Sequence, residues 1–345
     1  MIAIPVLTLV PGVVGGSETY VRELLRALGR VGERKYRVLL PPAARDAAGE
    51  LPSVVAESYG GNRLLAMARG AVDPRYASLL GDAHVVHYPL TVPLPRTRAR
   101  RVVTLHDVQH LDLPEMFPRA ERAYRAIAYN RTARRADHVI AVSEFVKRRA
   151  VDRLGIDPAR VTVTPLGIDH ATLRPGEAVR EPFLLYPAKP WPHKNHARLF
   201  TAFAQLRLER PELRLVLTGG GDHPRLPPGV EARGQLPRGE VVSLLQRASA
   251  LVFPSLYEGF GLPPLEAMAC GTPVACSNAA ALPEVVGDAA RLFDPNDPDD
   301  IAAAVREVLE DPAPWIERGL VRAAQFSWDE TARLTDAVYG QLLAT

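Results

Sequence analysis

One pattern repeats along this chain: a short apolar run bounded by turn residues, then a longer segment with apolar residues at helical spacing. Apolar runs without strict alternation suit strands buried on both faces, and strands separated by helices pair in parallel through crossovers. In the first half the expected strands are Ile2 to Leu9, Val38 to Leu40, Ala83 to Tyr88, Arg101 to Leu105, Val139 to Ser143 and Val161 to Thr164. The second half offers Phe183 to Tyr186, Leu213 to Thr218, Ala250 to Phe253, Pro273 to Cys276 and Ala290 to Phe293. Each half can close its own doubly wound sheet. A chain of 345 residues also exceeds one hydrophobic core, because domains divide beyond about 250–300 residues. The stretch Leu166 to Pro182, rich in Gly, Pro and charge and without periodicity, places the boundary near residue 175, giving domains 1–174 and 175–325. A final helical pattern, from Phe326 to the end at 345, is free to pack with either domain.

Composition removes several classes. Hydrophobic residues at 47% and charged residues at 23% exclude a disordered or fibrous chain. A formal charge of +3 gives no sign of a nucleic-acid partner, which calls for basic side chains gathered on one face. The two cysteines, Cys270 and Cys276, lie in apolar small-residue stretches and do not make a disulfide framework, so a cytoplasmic protein is expected. Met1 to Val14 is apolar but lacks a basic start and is interrupted by Pro5 and Pro11, which reads as buried strand and loop rather than signal peptide. No uninterrupted apolar run reaches the roughly 18 residues that a membrane span needs.

After the first expected strand comes Pro11-Gly12-Val13-Val14-Gly15-Gly16-Ser17-Glu18, then a helix with Val21, Leu24, Leu25 and Leu28 on one face. Ser17 is the expected N-cap. Gly15 and Gly16 allow close approach of a phosphate or sugar to the positive end of the helix; a plain tight turn reads equally well. The segment matches neither G-x-G-x-x-G nor a P-loop.

Lysine occurs only at positions 35, 147, 189 and 194, and the last two share the loop Ala188-Lys189-Pro190-Trp191-Pro192-His193-Lys194-Asn195 after an expected strand. Such loops are where open α/β sheets bind ligands, and two ammonium groups there can neutralise a diphosphate. Farther on, Phe253 runs into Pro254-Ser255-Leu256-Tyr257-Glu258-Gly259-Phe260-Gly261-Leu262-Pro263-Pro264-Leu265-Glu266. The prolines suit a first helical turn and Gly271 a helix end, which puts Glu258 in a glycine-flanked loop and Glu266 about one turn into a helix. One carboxylate can meet sugar hydroxyls and the other a ribose. No His or Cys cluster accompanies them, so no metal is expected. Asp297-Pro298-Asp299 superficially resembles a metal motif but precedes an apolar helix and reads as a cap.

A basic run holds Arg119, Arg122, Arg125, Arg131, Arg134 and Arg135. It reads as a solvated helix face with Tyr124, Ile127 and Ala128 turned toward the core; the alternative is a peripheral contact with anionic lipid.

These segments together resemble the retaining family 4 glycosyltransferases of GT-B fold, in particular bacterial mannosyltransferase-like members. The likeness is carried by Gly15-Gly16-x-Glu18, Thr104-Leu105-His106-Asp107, Ala141-Val142-Ser143-Glu144-Phe145, Pro165-Leu166-Gly167-Ile168-Asp169, Trp191-Pro192-His193-Lys194-Asn195, and Glu258 through Glu266 with Gly271-Thr272-Pro273-Val274. It implies two Rossmann-like domains with an interdomain cleft, an N-terminal acceptor domain rejoined by the final helix, and a C-terminal domain for the nucleotide sugar. It further implies that Lys189, where many members have Arg, and Lys194 hold the donor diphosphate with the Leu262 amide, and that Gly16 lies near phosphate or acceptor. Glu258 with the backbone of Gly259, Phe260 and Gly261 would grip the transferred sugar, Glu266 the ribose, and Arg233 and Leu236 the base. His106 would lie beside donor sugar and acceptor. The implied activity is metal-independent hexose transfer with retention, mannose from GDP-mannose favoured, to a glycan, lipid-linked or natural-product acceptor. A nucleotide-sugar epimerase on the same fold and a catalytically inactive binding subunit remain as alternatives.

Overall fold

The computed structural model describes residues 1–13, 15–60, 63–221 and 225–344, except for the side chains of 63–65. The first sheet is built from β1 (Ile2–Pro5), β2 (Tyr36–Leu40), β3 (Ser53–Val55), β4 (Val85–Tyr88), β5 (Arg100–Leu105), β6 (His138–Ala141) and β7 (Val161–Val163). All pairings are parallel, in the order β3-β2-β1-β4-β5-β6-β7. The second sheet comprises β8 (Glu181–Pro187), β9 (Arg214–Thr218), β10 (Val230–Ala232), β11 (Ala248–Phe253), β12 (Val274–Ser277) and β13 (Arg291–Phe293). It too is wholly parallel, ordered β10-β9-β8-β11-β12-β13. Each chain segment winds to one edge from its first strand and then returns to the other side. The direction reverses between β1 and β4 in one sheet and between β8 and β11 in the other, the crevice where such folds take ligands.

The central strands are apolar on both faces: Ile2, Ile4, Val85, Val102, Val139 and Ile140 are fully buried in the first sheet, and Phe183, Leu184, Leu215, Leu251 and Phe253 in the second. Helices must therefore cover both sides. Two strands were absent from the sequence reading. β3 and β10 are three-residue edge strands, each pairing on one side only, so neither needs the apolar run that marks an inner strand. The expected strand from Ile2 to Leu9 stops at Pro5; Val6, Leu7 and Leu9 stay buried in a turn closed by the Leu9 amide on the Val6 carbonyl at 2.9 Å.

The chain divides into two compact units, residues 1–167 with the segment from Trp328 onward, and Ile168–Ser327. The first cut falls before the expected 174. Ile168 forms a parallel bridge with Ser327, Gln246 Nε2 donates to the Arg174 carbonyl at 2.8 Å and Arg180 Nη1 to the Ala248 carbonyl at 2.7 Å, so the stretch read as a linker is bonded into the second unit. The final helix, Trp328–Ala344, packs on helix Gly16–Val31 of the first unit. It buries Trp328, Ala332, Val338 and Tyr339 there, and Thr331 Oγ1 donates to the Pro165 carbonyl at 2.7 Å.

Two local expectations change. Helix Gly16–Val31 is capped by Gly15, not Ser17; a φ of 58° at Gly15 starts the helix two residues earlier than a serine cap would, and the Glu18 carboxylate folds back onto the Gly12 amide at 2.7 Å. The supposed core stripe at Tyr124 and Ile127 faces outward, at 37% and 68% exposure. Helix Arg119–Arg125 passes through a π-helical turn, Ala126–Asn130, into helix Arg131–Arg135, and one extra residue in that turn rotates the stripe off a regular helical face.

Candidate active site

In the second unit the chemistry gathers at the switch point. Lys194 follows β8 and Glu258 follows β11, the two strands that flank the reversal. Their side chains meet, Lys194 Nζ donating to Glu258 Oε1 at 2.5 Å with both side chains about 15% exposed. Sequence reasoning gave them separate tasks; the structure places them in one ion pair. Its geometry is set by backbone. Tyr186 OH donates to the Lys194 carbonyl at 2.6 Å, and the Leu256 amide donates to the His193 carbonyl at 2.8 Å. Asn195 holds φ 62°, a left-handed value that Asn tolerates better than most residues. Its buried amide donates to the Pro254 carbonyl at 3.1 Å and the Pro295 carbonyl at 2.7 Å. The β8 loop is thus clamped to the β11 loop, and the Lys194 ammonium also stands 5.6 Å from the centre of the Phe253 ring.

Lys189 lies five residues before, its ammonium 5.6 Å from the ring centre of Trp191, which is 48% exposed. Beside it Gly219, after β9, has φ 106°, and a Cβ there would sit 3.1 Å from the Ala188 carbonyl carbon. This glycine lets the two loops close up, a need invisible without knowing that β8 and β9 are neighbours.

Helix Leu262–Ala269 begins at Gly261, whose φ of 117° and ψ of 59° exclude a side chain; a Cβ would lie 2.6 Å from Leu282 Cδ2. The Leu262 amide therefore heads a helix N-terminus with two prolines behind it, at the same edge of the sheet as Lys194. Phe260 is buried and turns onto Phe326, ring centres 5.9 Å apart. Glu266 is buried in that helix and accepts from Arg238 Nη2 at 2.8 Å. Arg238, at the start of helix Arg238–Arg247, was not foreseen. Arg233 and Leu236 follow β10 on the same edge; Arg233 is exposed and pairs with Glu231 at 3.2 Å. Asp297 caps helix Pro298–Glu310, its carboxylate accepting from the Asp299 amide at 2.9 Å.

In the first unit Gly16 opens the helix after β1, and His106 follows β5. His106 Nε2 bonds the Pro89 carbonyl at 2.8 Å. A carbonyl only accepts, so Nε2 carries the proton and Nδ1 its lone pair. Burial lowers the proton affinity of this imidazole, outweighing the Pro89 carbonyl and the Asp107 charge, and keeps the ring neutral near pH 7. Its ring stands edge-on to Tyr20, centres 4.9 Å apart. Behind lies a buried chain: Tyr20 OH to Thr104 Oγ1 at 2.8 Å, Thr104 Oγ1 to His87 Nε2 at 2.8 Å, and His87 Nδ1 to Tyr339 OH at 2.7 Å. The final helix thus reaches the residues that support His106.

Sheet order, paired units and family likeness together define a glycosyltransferase of GT-B fold. The model for Glycosyltransferase Family 4 matches residues 14–172 and that for Glycosyl transferases group 1 matches 174–323. The chain is 34% identical over 273 residues to O-antigen chain mannosyltransferase B of Escherichia coli, covering 71% of each. To MMP alpha-(1->4)-mannosyltransferase of Mycolicibacterium hassiacum it is 36% identical over 231 residues, 62% of this chain and 56% of that one. Among solved structures, sucrose-phosphate synthase from Thermosynechococcus elongatus superposes with a TM-score of 0.77 at 22% identity over 99% of each chain. This protein belongs to the family 4 glycosyltransferases.

Proposed function

We propose that the protein is a retaining mannosyltransferase that uses a nucleoside-diphosphate mannose, GDP-mannose favoured, and needs no metal. The Lys194–Glu258 pair at the β8/β11 switch point carries this reading. A cation beside a carboxylate at the carboxyl ends of two parallel strands suits a ligand that is anionic at one end and hydroxylated at the other. Lys194 and Lys189 with the Leu262 amide take the diphosphate; Glu258 and the Gly259–Gly261 backbone take the sugar; Glu266 takes the ribose, with Arg233 and Leu236 near the base. His106 and Gly16 serve the sugar and the acceptor. In a retaining transfer the acceptor attacks the face the diphosphate leaves, and the departing phosphate oxygen can accept its proton. The enzyme's task is then to stabilise charge growing on the leaving group, which fixed cations and helix amides do. The choice of mannose is supported by the names of the two relatives.

The test is nucleotide release from GDP-mannose and UDP-sugars, with and without a glycan, lipid-linked or natural-product acceptor, in excess EDTA. Acceptor-dependent release from GDP-mannose with an α-linked product is expected. A β-linked product removes retention, and loss with EDTA that a divalent ion restores removes metal independence. Interconversion of donors without transfer marks an epimerase, and binding without turnover an inactive subunit.

A further inference from the structure

Helix Arg238–Arg247 brings the chain from the edge strand β10 back to β11 in the body of the sheet, and helix Leu262–Ala269 follows β11. The two helices pack together. One ion pair joins them near their N-termini, Arg238 Nη2 donating to Glu266 Oε1 at 2.8 Å. A helix N-terminus carries partial positive charge, which favours a carboxylate such as Glu266 and disfavours a cation at the first residue of a helix, where Arg238 stands. Helix stability therefore gives no reason for an arginine at 238. Its contact with Glu266 does.

The two partners differ in exposure: the Glu266 side chain is 11% exposed and that of Arg238 46%. Burial works against the guanidinium charge, and Glu266 outweighs it through its charge and its hydrogen bond, with Cys270 and Asp169 adding to the effect, so Arg238 holds its proton more tightly than an ordinary arginine. Cys270 stands one turn after Glu266, and burial followed by the Glu266 charge pushes its thiol up to about 12. The thiol stays neutral and does not compete for the guanidinium. Among the described residues Arg238 makes no second ion pair and the Glu266 carboxylate accepts no second hydrogen bond. One carboxylate oxygen is thus fixed and the other is left to a ligand. Two adjacent hydroxyls need an acceptor whose direction is set, because a hydrogen bond weakens steeply off its axis. An unheld glutamate side chain samples several rotamers, and a charge-assisted bond from a planar guanidinium selects one.

We propose that Arg238 is a positioning residue for the ribose: it holds the Glu266 carboxylate so that this group accepts from both ribose hydroxyls of a nucleoside diphosphate, and the preference for a ribonucleotide depends on it. The inference rests on the assignment of Glu266 to the ribose in the proposed function. Arg238 itself touches neither phosphate nor base. Its removal leaves a buried carboxylate uncompensated, and such a group takes up a proton more readily and turns in part from acceptor to donor.

The experiment titrates the full-length protein calorimetrically with GDP and its 2′,3′-dideoxy analogue, and with the corresponding UDP pair, the tighter base being used throughout. Wild type should prefer the ribonucleotide by at least about tenfold, and Glu266→Ala should remove most of that preference. Arg238→Ala should weaken the ribonucleotide at least about fivefold and leave the dideoxynucleotide within about twofold of wild type, whereas a merely structural role would weaken both alike. Adding Arg238→Ala to Glu266→Ala should change nothing further, since residues that act as one unit do not add. Arg238→Lys should recover part, because charge returns without the guanidinium geometry. Melting temperature must match wild type in each variant compared, and Arg238→Gln takes the place of Arg238→Ala if the alanine variant does not fold. Equal weakening of both nucleotides by Arg238→Ala, or an unchanged preference, overturns the proposal. If Glu266→Ala keeps the full preference, the ribose assignment fails and the role of Arg238 falls with it. If Glu266→Ala loses the preference and Arg238→Ala keeps it, the ribose assignment stands and the role of Arg238 alone is wrong.

Discussion

Lys194 and Glu258 set the balance of the site. The ion pair is largely closed from water, where an uncompensated charge costs more than at the surface, so under the proposed function the donor replaces part of what each partner gives the other. Charge on a leaving diphosphate grows as the sugar bond breaks, and a lysine in the proposed role interacts more strongly with the transition state than with bound donor. Lys194→Ala should lower kcat by about a hundred- to a thousand-fold, some 3–4 kcal/mol, with a smaller change in donor affinity. Lys194→Arg should recover part. Steady-state kinetics beside donor calorimetry checks this, and a kcat within about threefold of wild type would mean that Lys194 is a bystander. Glu266→Ala should weaken nucleoside diphosphate binding, whereas Glu258→Ala should leave it and lower turnover; the reverse outcome exchanges their roles. His87 makes a different prediction. It is fully buried between Thr104 and Tyr339, and burial pushes its pKa from 6.5 down to about 3, with His106 adding to the shift. Between those values the unfolded chain holds a proton that the folded chain does not, so stability rises with pH across this window. The stabilising effect of the neutral ring is complete above about pH 6.5 and is lost as pH falls toward 3. Unfolding by urea at a series of pH values should show a shallower fall for His87→Gln than for wild type. Parallel curves would show that His87 does not titrate in this way.

At the scale of elements, helix Leu262–Ala269 depends on one glycine. Gly261 combines a φ of 117° with a Cβ position 2.6 Å from Leu282, itself fully buried. Gly261→Ala should cost about 1–3 kcal/mol through backbone strain and weaken nucleoside diphosphate binding through a displaced Leu262 amide. Adding Leu282→Ala should relieve the clash without removing the strain, so recovery is partial; full recovery would show that the φ value carries no cost. The same helix shows what a sequence makes legible. Glu258, Gly261, the proline pair, Glu266 and Gly271 are near one another in the chain, and their spacing alone gives a loop, a helix start and a helix end. Lys194 was legible as a candidate because lysine is scarce here. What the sequence withheld depends on strands brought together by the fold. Arg238 finds Glu266 across 28 residues, Gly219 yields to the β8 loop, and Asn195 reaches carbonyls after β11 and β13. The edge strands β3 and β10 escaped for a related reason, since three residues with one partner strand carry too little pattern. Ser17 and the Tyr124–Ile127 stripe misled because an N-cap and a helical face were read from regular geometry, and Gly15 and the π-helical turn depart from it.

At the scale of the whole molecule, the final helix belongs to the first unit although it follows the second in sequence. Burying a large apolar side chain is worth about 1.5–3 kcal/mol. Without Trp328, Val338 and Tyr339 the first unit loses a sum comparable to the 5–15 kcal/mol that holds a typical domain folded. Asp336, buried against Tyr36 and Arg34, goes with them. A chain ended after Ser327 should therefore lose the cooperative unfolding of the first unit and all sugar transfer. The second unit keeps its six-stranded sheet, the Lys194–Glu258 pair and the Arg238–Glu266 pair, so nucleoside diphosphate affinity should stay within about tenfold of the full chain, or ~1.4 kcal/mol. Calorimetric titration of both chains, with the unfolding transition followed by circular dichroism, makes the comparison. Retained affinity beside a lost first-unit transition is the expected pair of results. If the shortened chain keeps a folded second unit and binds no nucleotide, then His106, Gly16 or another first-unit group supplies binding here assigned to Lys189, Lys194 and Glu266, and the division of labour between the two sheets must be redrawn.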